Sequence, residues 1–276
     1  VGATIALESL DATTSQLNAV QKQVSTGYRV ADATDDGAAY AVAQSVRSDV
    51  NALTAANQQL GGIQGLLSTT TSSLNDVSNT LSSMRDVLVA LASGDTTGNQ
   101  RTQYEQQYKS LLANVKSFVE DASYAGKTLI GNITGSDGKF GELSVVRNEV
   151  GSTYGITTFS GSALYASLAF TSTQLGGAGT VAALITQSGT FINKSNSVGT
   201  ALNTYGSATN YVTNQINYNS DKIDALNSGL GALIDADLAK ESAQLQALQI
   251  RQQLGTQALS LADQAPQTLL TLVKNA

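Results

Sequence analysis

The sequence predicts a mainly α protein: a long antiparallel coiled-coil helical rod formed by the N- and C-terminal regions, with a small β-rich insert between them. Three observations carry this. Average usage of about 5% would give roughly 14 prolines, yet Pro266 is alone, so helices can run unbroken. Val46, Leu53, Leu60, Leu67, Leu74, Leu81 and Leu88 recur every seven residues without a miss. A second ladder alternates steps of four and three: Val198, Leu202, Tyr205, Thr209, Val212, Ile216, Asn219, Ile223, Leu226, Leu230 and Leu233. A seven-residue apolar repeat is the mark of a helix that buries one seam against other helices.

The first element is a terminal helix whose apolar positions are Leu10, Leu17, Val20 and Val24, on a background rich in Gln, Ser and Thr. The Val46 ladder follows. Its companions three residues on are Asp49, Ala56, Ile63, Thr70, Val77, Met84 and Leu91, so 12 of the 14 seam positions are apolar. At ~1.5 Å per residue the stretch from Val46 to Leu91 extends roughly 69 Å, too long for a compact globule of this size. Gly61, Gly62 and Gly65 weaken its middle by about 1 kcal/mol each relative to Ala.

The turn-forming run from Ser93 to Asn99 separates this helix from a third, residues 101–123, where Tyr104, Tyr108, Leu111, Leu112, Val115, Phe118 and Val119 share a face. A lone amphipathic helix cannot cover its own stripe. The two ladders and this helix are therefore expected to bury their seams together, joining sequence from both ends of the chain.

Residues 131–195 hold 11 of the 25 glycines, 9 Ser and 9 Thr, the composition of short strands and turns. Phe140 to Val146 and Tyr154 to Phe159 are the expected strands. The C-terminal stretch returns to helix, with Leu238, Leu245, Leu248, Leu259 and Ala262 as its apolar positions.

Composition narrows function. With no His and no Cys, the Ser-His-Asp triad, the Cys nucleophile, the H-E-x-x-H protease site and the usual zinc ligands are all excluded. The reading is not an enzyme, and no cofactor is expected. A net charge of −6, with no run of three basic residues, argues against nucleic acid as a partner. The longest fully apolar run, Val87 to Ala92, has six residues, so membrane insertion is not expected either. Residues 1–20 carry no positive charge and lack the apolar block of a secretory signal.

Sharper chemical readings compete with plainer ones. Gly126-Lys127-Thr128 has the end of a phosphate loop but Asp121 at its first glycine position, and reads as a turn after the third helix. Asp235, Asp237 and Glu241 could supply oxygen ligands to a cation, or cap and complement the start of a helix. Asp35 and Asp36 could form an acid/base pair, make contacts between subunits together with Arg29, or sit in a solvated loop.

At Ser25-Thr26-Gly27-Tyr28-Arg29-Val30-Ala31-Asp32-Ala33-Thr34-Asp35-Asp36-Gly37-Ala38 the chain resembles the bacterial flagellin motif S-[ST]-G-x-[RK]-[IV]-x-x-A-x-D-D-x-A. The far end reinforces it through the stretch from Asp235 to Glu241, the stretch from Ala247 to Thr256 with Gln252 and Gln253, and Gln264-Ala265-Pro266-Gln267. The resemblance covers about residues 1–130 and 196–276.

It implies inner, channel-lining helices over residues 1–27 and 236–276, a helical rod domain over 28–130 and 196–235, and a variable β-rich surface insert over 131–195. It also implies a structural subunit that polymerises into the extracellular flagellar filament for motility. The expected partners are identical subunits, the flagellar export machinery and its chaperone, and hook-associated and cap proteins. Subunit-interface candidates are then Gly27, Arg29, Asp35, Asp36, Asp235, Asp237, Glu241, Gln252, Gln253 and Pro266. The coiled-coil seam candidates are Val46, Leu53, Leu60, Leu67, Leu74, Leu81, Leu88, Leu202, Ile216, Ile223 and Leu230. Ordering about 65 terminal residues costs on the order of 65–130 kcal/mol of backbone entropy, so the end helices are expected to order against neighbouring copies. Two other readings stay open: a hook–filament junction protein, and a secreted or cell-surface binding protein that uses the insert.

Overall fold

The computed structural model describes residues 2–131 and 142–274, with side chains placed over 4–131 and 143–261. In chain order the elements are α1 (Gly2–Thr26), α2 (Gly37–Ala92), α3 (Gly98–Asp121), β1 (Glu142–Val146), β2 (Thr153–Thr157), α4 (Gly161–Leu168), α5 (Ser172–Leu175), α6 (Ala178–Leu184), α7 (Thr190–Ile234) and α8 (Leu238–Lys274). The chain divides into a central unit, residues 51–222, and a terminal unit made from the residues up to 50 and from 223 onward.

In the central unit the heptad ladder of α2 is the core. Leu53, Leu60, Leu67, Leu74, Leu81 and Leu88 are each no more than 1% exposed, and the companions Ala56, Ile63, Thr70, Val77, Met84 and Leu91 are buried with them. Tyr108, Leu112, Val115 and Val119 of α3 and Val198, Ala201, Tyr205, Ala208 and Val212 of α7 belong to the same apolar cluster. The direction of α7 follows from side chains that meet α2: Asn57 reaches Ser220 at 3.4 Å and Gln64 reaches Thr213 at 3.1 Å. Numbers rise on one helix as they fall on the other, so the pair is antiparallel.

The α7 seam departs from the expected one at every second position. Val198, Tyr205, Val212 and Asn219 are fully buried, but the companion layer falls on Ala201 and Ala208, three residues on, while Leu202 and Ile216 are half-buried at the margin of the cluster. Small residues suit a layer that faces the leucine ladder, because they leave room for its knobs. Thr70, the one polar member of the α2 ladder here, gives its Oγ1–H to Leu66 O at 2.8 Å.

Between the long helices, β1 and β2 form an antiparallel hairpin in the register Glu142 to Thr157 and Val146 to Thr153. Alternation puts Val145 and Ile156 into the core. Of the expected strand from Phe140, the first two residues lie outside the described residues. Residues 161–184 fold into three short helices where the composition suggested strands and turns. The Ser and Thr content serves caps: Ser160 accepts from Ala163 N–H, and Thr171 and Gln174 form a reciprocal capping box.

Two buried tyrosines of the long helices hold backbone carbonyls on either side of the hairpin in sequence. Tyr108 donates to Leu168 O at 2.8 Å and Tyr205 to Leu129 O at 3.0 Å. Burial raises both phenols, Tyr205 to about 12, so they remain donors across the ordinary pH range.

The terminal unit is thinner. α1 and α8 run antiparallel: Leu10 lies against Gly255, where an added Cβ would meet Leu10 Cδ1 at 3.2 Å, and Gln252 reaches Thr14 at 3.5 Å. Their buried contact is Leu17, Val20 and Leu248, flanked by Val24 and Leu245. A second small cluster joins Val30, Ala39, Ala43 and Ile234, with Tyr40, Leu230 and Leu233 around it. Both end helices are formed in the single chain, where the sequence suggested that they wait for neighbours; each supplies the other's few buried positions.

Candidate self-assembly surfaces

The junction between α1 and α2 is a loop that the chain holds with its own polar groups. Gly27 takes φ +76°, a conformation open to glycine, directly after α1. Tyr28 then pairs with Asp235 as an isolated antiparallel bridge, and Arg29 and Val30 N–H both donate to Ile234 O, at 2.7 and 3.3 Å. The Arg29 guanidinium donates to Leu233 O at 2.6 Å. Arg29 thus satisfies carbonyls at the C-terminal end of α7, where a cation also complements the helix dipole.

Lys22 organises the rest of the loop. Its ammonium donates to Asp32 at 2.6 Å and to both oxygens of Asp35, at 2.8 and 2.9 Å. Asp35 Oδ2 accepts in addition from Ala31 N–H at 2.9 Å and Asp32 N–H at 3.2 Å, while Asp32 Oδ1 accepts from the amide and hydroxyl of Thr34. Hydrogen bonding to Lys22 is the largest cause holding both carboxyls below the usual carboxylate range, and hydrogen bonds to the two carboxylates raise Lys22. Neither Asp35 nor Asp36 is arranged as an acid/base pair. Asp36 Oδ1 caps α2, accepting from Ala38 and Ala39 N–H at 3.1 and 3.0 Å.

Asp237 does the same for α8, accepting from Ala239 and Lys240 N–H at 3.1 and 3.2 Å. Glu241 lies in the first turn of α8, with its Oε2 buried and without a hydrogen-bond partner among the described residues. Asp235 is exposed and folds its carboxylate over Gly231, where an added Cβ would come within 2.7 Å of Oδ2. The three acids form no group that could hold a metal ion among the described residues.

The interface candidates therefore divide. Arg29, Asp35, Asp36 and Asp237 spend their polar atoms inside their own chain. Gln252 faces α1, Gln253 is exposed, and the side chain of Pro266 lies outside the described residues. Of the seam candidates, Leu53 to Leu88 are core, Leu202, Ile216, Ile223 and Leu230 are half-buried, and Val46 is half-buried in the terminal unit. Sequence reasoning passed over Lys22 and Asp32. A signal was present: Lys22 is the sole cationic side chain of residues 1–26, ten residues ahead of the first of three aspartates.

The terminal unit also exposes several large apolar side chains. Ile5, Leu7, Ile250, Leu254 and Leu261 are 48–68% exposed, along the same two helices whose mutual core is three residues. Among the described residues no helix is long and apolar enough to cross a membrane.

Residues 1–134 match the family model described as the bacterial flagellin N-terminal helical region, and residues 185–273 match that of the bacterial flagellin C-terminal helical region. Flagellin from Brucella melitensis is 32% identical over 98% of this chain and 95% of its own length. Flagellin FljO of Caulobacter vibrioides is 31% identical over 99% and 96%. Among solved structures, one from Vibrio parahaemolyticus, assigned as flagellar hook-associated, aligns with a TM-score of 0.58 at 18% identity, covering 73% of this chain and all of that one.

Proposed function

The chain belongs to the bacterial flagellin family, and from that premise we propose how it carries out the family's task. The protein is a structural subunit that polymerises into the flagellar filament, and its work is mechanical. The central unit supplies stiffness through one continuous buried seam, and the terminal unit supplies the adhesion that makes a polymer. Open helical polymers need two different patches per copy that meet across a non-closing contact. In this reading residues 1–27 and 236–276 are the inner helices, and residues 28–130 with 196–235 form the layer around them. Residues 131–195 face outward.

The observation that carries the proposal is the exposed stripe of Ile250, Leu254 and Leu261 along one face of α8, with Ile5 and Leu7 exposed on α1, beside a three-residue core. Neighbouring copies cover that stripe. The junction loop, with Lys22 clamping Asp32 and Asp35, acts inside the chain: it fixes the exit of α1 toward the start of α2. The chain reaches the filament through the flagellar export route with a chaperone, meets hook-associated and cap proteins there, and performs no catalysis.

Electron microscopy of concentrated protein tests this directly. The full chain is expected to form long filaments, and a truncation lacking residues 236–276 is expected to keep the melting transition of the central unit and form none. Filaments from the truncated chain would remove the terminal pair from the mechanism. Short collars from the full chain that stop growing would instead favour a junction protein.

A further inference from the structure

Composition and burial leave tyrosine as the side chain that a mild oxidant meets. The chain has no Cys, His or Trp, and its single methionine, Met84, is fully buried. Thiols and exposed thioethers are the usual first sites of oxidation, and the described surface offers neither. Of the ten tyrosines, Tyr108 and Tyr205 are buried and donate their hydroxyls to Leu168 O and Leu129 O. Tyr154 and Tyr211 stand apart from the rest. Both are half-buried, and their rings stack with centroids 3.9 Å apart and planes 22° from parallel. No other two tyrosines stack among the described residues.

Elements far apart in sequence hold this pair. β2 carries Tyr154 on the same face as the buried Ile156, and α7 carries Tyr211 next to the buried Val212. Polar contacts tie the hairpin turn to α7. The fully buried Asn219 donates to Arg147 O at 2.9 Å, Lys222 donates to Glu149, and the Arg147 guanidinium donates to the Tyr211 hydroxyl at 3.2 Å. One ring is thereby kept against the other, so a reaction between them needs no encounter.

We propose that Tyr154 and Tyr211 form an oxidative cross-linking site: a one-electron oxidant generated from hydrogen peroxide by a haem peroxidase joins them as dityrosine, stapling the β1–β2 hairpin to α7. Each phenol gives up one electron and its O–H proton and becomes a phenoxyl radical. The unpaired electron lies partly on the ring carbon beside the hydroxyl-bearing one, Cε, in an orbital perpendicular to the ring. Stacked rings therefore face each other along the direction in which the bond forms. One Cε–Cε bond is made, the C–H bond of each joined carbon breaks, and a proton returns to each oxygen to restore both hydroxyls. The peroxide takes the two electrons and two protons and becomes two waters. The protein loses two hydrogen atoms and gains a covalent closure between residues 154 and 211, which restrains the unfolded chain as a disulfide would. The site acts within one chain, so it stands whether or not copies assemble.

Dilute protein, kept below the concentration at which it polymerises, is treated with hydrogen peroxide and a haem peroxidase; free tyrosine in a parallel reaction shows that the oxidant is active. Monomer recovered from a denaturing gel is expected to carry dityrosine fluorescence. Its tryptic peptides 148–194 and 195–222 should be recovered joined, two hydrogen atoms lighter than their sum, with fragment ions placing the link at Tyr154 and Tyr211. Tyr154→Phe and Tyr211→Phe each keep an aromatic ring in the stack and should lose the joined peptide and the monomer's fluorescence to background. Tyr218→Phe removes an exposed hydroxyl from the same tryptic peptide as Tyr211 and should change neither. Oxidised wild type should also melt at a higher temperature than untreated protein, and Tyr211→Phe should show no such rise. Coupling of free tyrosine with no joined peptide from the wild-type chain would overturn the proposal, as would monomer fluorescence that survives in Tyr211→Phe.

Discussion

In the central unit Leu60, Leu67, Leu74 and Leu88 are wholly buried among three long helices, whereas in the terminal unit Ile5, Ile250, Leu254 and Leu261 each keep more than half of their surface open. Both regions are long amphipathic helices of similar composition. They differ in how many helices share the seam: α3 completes the cluster in the central unit, while α1 and α8 have each other alone for the core of Leu17, Val20 and Leu248. A helix pair has too little mutual surface to cover two full stripes, and a third helix supplies the missing wall. The unit with three walls buries its ladder completely, and the unit with two leaves large apolar side chains open.

The comparison breaks most sharply at Leu74. Leu74→Asp places a carboxylate at a fully buried position, and is expected to destabilise the central unit by about 4 kcal/mol or more. Thermal melting followed by circular dichroism measures it, and an unchanged transition would mean that the ladder is not the core. In the terminal unit the same chemistry should act elsewhere. Ile250→Asp combined with Leu254→Asp leaves the melting of the free chain within about 0.5 kcal/mol, because both side chains are already in water. Polymerisation should fail in that variant, read as loss of pelletable filament at concentrations where wild type assembles.

How far the sequence disclosed these two regions depends on which physical signal each used. The α2 ladder was legible because one period held from Leu53 to Leu88 with nothing else at those positions. On α7 the same reading chose Leu202 over Ala201, since hydrophobicity ranks leucine higher, although packing against a leucine ladder favours the smaller residue. The helices α4 to α6 were hidden for a different reason: Ser160 and Thr171 look like loop residues until their hydroxyls are seen on the amides they cap. At the junction the motif was visible, but contacts inside the chain and contacts between chains use the same residue types. Arg29, Asp35 and Asp36 could not be sorted without coordinates.

A subtler probe of the central unit is the Tyr108 hydroxyl, which is buried and has Leu168 O as its acceptor. Tyr108→Phe keeps the ring and its stacking on Phe170, 5.8 Å away, and removes the hydrogen bond. The expected cost is about 1–2 kcal/mol, somewhat above a typical exposed hydrogen bond, because the carbonyl stays behind unpaired. Urea titration with an unchanged m-value would report a loss of stability with no loss of compactness.

The smallest effect is expected at the junction loop of the terminal unit, and its direction follows from the signs of the shifts. Asp32 and Asp35 are lowered in the folded chain, so their contribution is present above the ordinary carboxylate range and is lost as pH falls below about 4. Lys22 is raised, so its contribution is present below about pH 10.4 and is lost as pH rises beyond that. All three groups are near solvent, and salt screens such pairs, so the global melting temperature should move little. Amide exchange should resolve what melting does not: Ala31 and Asp32 N–H, both held by Asp35 Oδ2, should progressively lose protection as pH falls below the ordinary carboxylate range while the α2 seam stays protected. In Asp35→Asn the same two amides should already exchange faster at pH 7, because a neutral amide binds Lys22 less strongly than a carboxylate does. Equal protection in the variant and the wild type would show that the backbone turn holds the loop without its charges, and the orientation of α1 would then have to be fixed by the hydrogen bonds from Arg29 and Val30 to the end of α7.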